Sequence, residues 1–197
     1  NNVNAIYFQD FVRLRENWTV LFSGRYDHFR RNFFRNPVRD GVETQTAITN
    51  VAQDPFSYRL ATNYQVLPGM GLYASYATSF RPQTTLSADG KNLKPETGNQ
   101  FEIGQRFDLF NHRVTINTAL FRIVKENVTV SRTNGILDQA GRLESKGFEA
   151  DLRARLTSRL DVRASYGFVQ AQFEDFELED GDGVTRNLKG RIPSFVP

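Results

Sequence analysis

The side chains that most often carry chemistry are sparse in this sequence. Its two histidines, His28 and His112, lie far apart and lack the close spacing of metal ligands, and His112 falls in a predicted turn; both read as structural or interfacial. There is no cysteine, which excludes a disulfide framework, a thiolate metal site and a cysteine nucleophile. Asp180-Gly181-Asp182-Gly183 has the start of a calcium-loop spacing. An EF-hand loop, however, needs further oxygen ligands and a closing Glu, so the segment reads as a flexible acidic loop. Asn17-Trp18-Thr19 and Asn127-Val128-Thr129 match the glycosylation acceptor pattern. No Ser–His or comparable nucleophile–base pair is apparent. The sequence therefore predicts no enzyme activity, no catalytic residue, no bound metal and no cofactor.

What does recur is charge, and its spacing defines the elements that carry it. Polar and apolar residues alternate with a period of two, the signature of strands with one face in each environment. The predicted strands are Asn4–Arg13, Trp18–Arg30, Pro55–Val66, Gly71–Phe80, Gln100–Leu109, Val114–Arg132, Arg142–Leu156 and Leu160–Glu174. Short links join them pairwise at Leu14-Arg15-Glu16-Asn17, Leu67-Pro68-Gly69-Met70, Phe110-Asn111-His112-Arg113 and Thr157-Ser158-Arg159, with Gly69 after Pro68 as a turn device. Long polar links alternate with these, over Arg31–Asp54, Arg81–Asn99 and Thr133–Gly141, with a last one running through Lys189. Several strands exceed the ~9–11 residues that a tilted strand needs to cross hydrocarbon. Tight turns at one end and long loops at the other is the layout of outer-membrane barrels, with turns periplasmic and loops extracellular.

The faces can be read residue by residue. Arg25 and Asp27 oppose Trp18, Val20, Phe22 and Tyr26. Glu102 and Arg106 oppose Phe101, Ile103, Phe107 and Leu109. Glu149, Asp151 and Arg153 oppose Phe148, Ala150 and Leu152, and Arg163 opposes Val162 and Ala164. A Lys or Arg turned to lipid at the bilayer midplane costs ~2–4 kcal/mol, so the charged faces are expected to point inward, into a lumen wide enough to hold mixed charges. No run of 18 apolar residues exists, so no transmembrane helix is expected. The net charge of +3 is spread among acidic residues, without a patch that would suit nucleic acid.

Six segments, in order, resemble the TonB-dependent siderophore receptors: Ala5-Ile6-Tyr7-Phe8-Gln9-Asp10; Gly24-Arg25-Tyr26-Asp27; Leu72–Pro82; Leu93-Lys94-Pro95-Glu96-Thr97-Gly98 followed by Phe101-Glu102-Ile103-Gly104; Ala119-Leu120-Phe121 with Lys125-Glu126-Asn127-Val128; and Lys146-Gly147-Phe148-Glu149. The resemblance implies an all-β, transmembrane, antiparallel up-and-down barrel of about 22 strands with a plugged lumen. Residues 1–197 would supply about eight of these, as part of the barrel domain, without the plug domain and the final strands; both ends look cut.

The resemblance further implies import of a ferric siderophore across the outer membrane of a Gram-negative bacterium. The partners would be the receptor's own plug domain, TonB of the inner-membrane complex and outer-membrane lipid; iron would be carried only within the substrate. Aromatic rings beside arginine suit a flat, anionic chelate. Phe33, Phe34 and Arg35, in the first long link, and Phe80 and Arg81, opening the second, are the expected ligand contacts. Arg25, Asp27, Glu102, Arg106, Glu149, Asp151, Arg153 and Arg163 would line the lumen and face the plug. Haem, cobalamin or an oligosaccharide as cargo, or a passive porin, are the alternatives.

Overall fold

The structure, a computed structural model, describes residues 2–35, 38–39, 42–43, 46–83, 92–131, 137–179 and 185–193. Strands β1 (Asn2–Arg15), β2 (Trp18–Arg35), β3 (Val38–Arg39), β4 (Val42–Glu43), β5 (Thr46–Gln53), β6 (Phe56–Leu67), β7 (Met70–Arg81), β8 (Glu96–Leu109), β9 (Val114–Ser131), β10 (Leu137–Thr157), β11 (Leu160–Asp175), β12 (Glu177–Glu179) and β13 (Thr185–Asn187) account for almost all of it. One sheet holds the long strands in the order β1-β2-β6-β7-β8-β9-β10-β11, each antiparallel to its neighbours. This is an up-and-down meander, in which each long strand pairs with the long strand before it.

The fifth strand is an upward continuation of the sixth. Both pair with β2, β6 along its lower half from Trp18 to Tyr26 and β5 along its upper half from Phe29 to Arg35. Asp54 and Pro55 break the run, since proline cannot donate to a ladder. The link expected over Arg31–Asp54 is thus largely an extended hairpin, and β10 likewise begins at Leu137, ahead of the expected Arg142. The 18 residues of β2 and 21 of β10 exceed what a bilayer requires, so the ladders continue past its thickness. The tight turns close where they were expected, at Glu16-Asn17, Pro68-Gly69, Phe110–Arg113 and Ser158-Arg159.

A single sheet has no sandwich core, and here one face is openly apolar. One cross-strand row runs Val12–Val20–Thr62–Ala74–Ile103–Leu120–Phe148–Phe168 across all eight long strands. Phe22, Leu60, Leu120, Tyr166 and Phe168 on this face are exposed. Such an apolar surface is far beyond what a water-soluble monomer displays; lipid is the environment in which it is stable. Asp10, opposite Phe22, is an exception in this surface. Trp18 meets Tyr64 edge-on near the turn end, and Tyr58 packs beside Tyr76 toward the loop end, as interfacial aromatic girdles do. The buried cluster among the described residues is small: Val128, Leu143, Phe173 and Phe176, with Leu188 against them. It sits at the loop end, where residues 188–191 hydrogen-bond back onto Phe173 and Phe176.

Candidate functional site: the polar face of the sheet

Because side chains alternate across a strand, the ladder registers assign every charged residue to a face. Tyr73 pairs with Gly104, Gly104 with Ala119, and Ala119 with Glu149. The next row toward the turns is Gly71–Arg106–Asn117–Asp151–Ser165, and the one after that is Asp108–Thr115–Arg153–Arg163. Glu102 pairs with Ser75, and Arg25 with Ser57, in rows of the same side. Arg25, Asp27, Glu102, Arg106, Glu149, Asp151, Arg153 and Arg163 therefore share one face, opposite the apolar row. That face is concave where β2 and β6–β8 meet, enclosing about 710 Å³ lined by Leu21, Arg59, Asn63, Tyr73, Ser75, Arg106 and Asp108, among others.

Most of these charges have local partners. The Arg25 guanidinium grips Asp27 through two hydrogen bonds of 2.8 and 2.7 Å. Arg106 does the same to Asp108 at 2.9 and 3.3 Å, and Thr115 adds a third donor to that carboxylate at 2.8 Å. Tyr73 Oη donates to Glu102 Oε1 at 2.8 Å, and Gln100 Nε2 donates to Oε2 at 2.9 Å. Ser165 Oγ donates to Asp151 at 2.6 Å. Glu149, Arg153 and Arg163 differ: among the described residues none of them makes a hydrogen bond or an ion pair through its side chain. Asp108 shares this face with Glu102 and Arg106, as its parity predicts, and Tyr73, Gln100 and Thr115 belong to it as well; for those three strand parity was the available signal.

Glycines shape the wall. A Cβ on Gly104 would meet the Tyr73 ring at 2.5 Å, and one on Gly147 would meet the Phe121 ring at 2.5 Å. Each pair is directly cross-strand, so the ring lies flat over its glycine and the backbone gap is filled. This is the physical content of the two glycines in the Glu102–Gly104 and Gly147–Glu149 segments.

The expected ligand contacts separate. Phe33, Phe34 and Arg35 lie on the upper part of β2, and their side chains fall outside the described residues. Arg81 is on the polar face, its side chain 76% exposed and 3.8 Å from Glu96, which Lys125 also approaches at 3.7 Å. Phe80 has the opposite parity and shares the apolar face with Leu72 and Tyr76. It turns away from Arg81, so the two do not form one ligand surface. His28 bonds Asp54 through Nδ1 at 2.5 Å. His112 stands 4.0 Å from Asp108, in a turn where Phe110, Asn111 and His112 all have positive φ. Among the described residues no three His, Asp or Glu side chains gather as a metal site. The acidic segment 180–183 lies outside the described residues.

Comparison with known proteins adds to this geometry. The family model described as "TonB dependent receptor-like, beta-barrel" matches residues 1–197. The metal-pseudopaline receptor CntO of Pseudomonas aeruginosa is 31% identical over 172 residues, covering 85% of this chain and 24% of the receptor. The ferrioxamine receptor of Yersinia enterocolitica is 28% identical, over 92% of this chain and 24% of its own length. Among solved structures, the ferric-catecholate import receptor Fiu of Escherichia coli superposes with a TM-score of 0.74 at 20% identity, covering 94% of this chain and 30% of Fiu. The chain thus spans about a quarter of the length of these two receptors.

Proposed function

Because the chain belongs to the TonB-dependent receptor β-barrel family, we propose that it forms part of the wall of an outer-membrane transporter that imports a ferric siderophore, energised through TonB. The observation that carries this reading is the two-faced sheet: a largely apolar row across eight strands, backed by a face of paired and unpaired charges. The apolar side lies against outer-membrane lipid. The charged side, with Arg25, Asp27, Glu102, Arg106, Glu149, Asp151, Arg153 and Arg163, faces the receptor's own plug domain. A passive porin would need only water on that side; the unpaired Glu149, Arg153 and Arg163 fit a protein partner better, because such charges in a packed lumen require counter-charges.

At the extracellular mouth the exposed Arg81, on the polar face, supports contact with an anionic chelate. No protein ligand to the metal is needed, since the chelator supplies its coordination. A second reading, uptake of a chelate of a different metal, is favoured by the similarity to a metal-pseudopaline receptor. The test is uptake by cells expressing the full-length receptor, with iron-loaded and other-metal-loaded siderophores as probes and a TonB-deficient strain as control. TonB-dependent accumulation of an iron chelate supports the first reading. Accumulation only of another metal's chelate supports the second, and TonB-independent leakage of any small solute contradicts both.

A further inference from the structure

The apolar face changes character abruptly toward the loop end of β9, β10 and β11. The row Leu120–Phe148–Phe168 is apolar, and the row two residues further along is Arg122–Lys146–Gln170. By the two-residue period these side chains leave the sheet on the same side as Leu120 and Phe168. The next row is Val124–Glu144–Gln172, and above it Glu126 faces Arg142. Arg122 is bound by Glu144 and lies 3.8 Å from Glu174, while Arg142 reaches Glu174 at 2.8 Å. Lys146 is directly opposite Arg122, is exposed, and has no ion pair among the described residues.

Ascending from the apolar belt, the surface therefore offers donors first and carboxylates only afterwards. A group rising from the hydrocarbon meets Arg122, Lys146 and Gln170, with every glutamate behind them. Two adjacent cations repel each other by cross-strand pairing; Glu144 binds Arg122 directly and feels the Lys146 charge without an ion pair to it, so the exposed guanidinium and ammonium both remain available to a further anion. A surface bathed in water on all sides gives no reason for this layering. A membrane does, because phosphates sit at the edge of the acyl layer and basic side chains at that level bind them.

We propose that Arg122, Lys146 and Gln170 dock the phosphate of an outer-leaflet lipid headgroup, whose acyl chains run along Leu120, Phe148 and Phe168. The inference rests on the reading of the apolar face as lipid-facing and is independent of which cargo is imported. The site lies on the outside of the wall, on the far side of the sheet from Glu149 and Arg153.

Native mass spectrometry of the detergent-purified full-length receptor tests this, with dimyristoyl-phosphatidylglycerol as probe and dimyristoyl-glycerol, which lacks the phosphate, as comparison. Lys146→Gln is expected to retain the phospholipid about fivefold less well, the effect of one basic side chain at a membrane surface. Arg153→Gln, on the opposite face, is expected to leave retention unchanged, and inorganic phosphate is expected not to compete. Heat-modifiable migration reports that each variant is a folded barrel, and unchanged substrate uptake by Lys146→Gln separates this site from the transport reading. Equal retention by Lys146→Gln and the wild type, equal retention of the two probes, or full competition by inorganic phosphate would each overturn the proposal.

Discussion

Arg153 and Arg163 stand directly opposite one another across the β10–β11 ladder, on the polar face, and neither has an anionic partner among the described residues. Like charges in this position destabilise a ladder by about 0.2–1 kcal/mol. Their neighbours do not relieve them, because Asp151 is taken by Ser165 and Asp161 by Arg155. The arrangement is tolerable when a carboxylate from the plug lies between the two guanidiniums. Arg163→Gln in the full-length receptor then removes a charged hydrogen bond and lowers the unfolding free energy by about 1–3 kcal/mol. Urea-dependent loss of plug protection, followed by limited proteolysis, measures it. A rise in stability would show that the pair only repels and that no plug carboxylate lies there.

Two glycines under aromatic rings are predicted to differ. At Gly24, on the apolar face, the nearest atoms a Cβ would meet belong to the Phe8 and Phe56 rings, at 2.6 and 2.8 Å. At Gly104 it would also meet the Thr118 backbone carbonyl at 2.5 Å. Rings can shift and a ladder carbonyl cannot, so Gly104→Ala is expected to cost about 2–3 kcal/mol, and Gly24→Ala about 1 kcal/mol, within the range for overpacking. Thermal unfolding of the two variants, monitored by gel migration, should rank them in that order.

The β6–β7 turn gives a backbone test. Gly69 has φ +81°, where an L residue costs about 1–2 kcal/mol. Its Cβ would also run into the Asp108 carbonyl of the neighbouring strand. Gly69→Ala is expected to lower the yield of heat-modifiable barrel, while Pro68→Ala, which leaves that approach open, is expected to have a smaller effect.

Much of this wall was legible in the residues because a period of two is written directly into a strand. The four tight turns, and the common face of Arg25, Glu102, Arg106, Glu149 and Arg153, follow from parity alone. The extensions were not legible: Thr46–Gln53 carries polar and β-branched residues on both sides, and above the membrane no environment imposes alternation. Phe80 could have been placed by its parity with Leu72 and Tyr76; treating it as the opening of a loop hid that. The rings over Gly104 and Gly147, and the pairing of His28 with Asp54, depend on which strands meet and in what register. That information lies between segments, in no single stretch of sequence.

Adjacent positions on β11 test the two-faced wall most directly. Tyr166 is on the apolar face, 63% exposed, and Gly167 is on the polar face beside Glu149, with open space where a side chain would go. In the full-length receptor, Tyr166→Arg is expected to lose about 2–4 kcal/mol of unfolding free energy in lipid vesicles, the cost of a cation facing hydrocarbon. Gly167→Arg places its cation beside the Glu149 carboxylate on the polar face and is expected to lose markedly less than Tyr166→Arg. Equal losses, or the larger loss at Gly167, would contradict the assignment of the apolar face to lipid and the charged face to the interior.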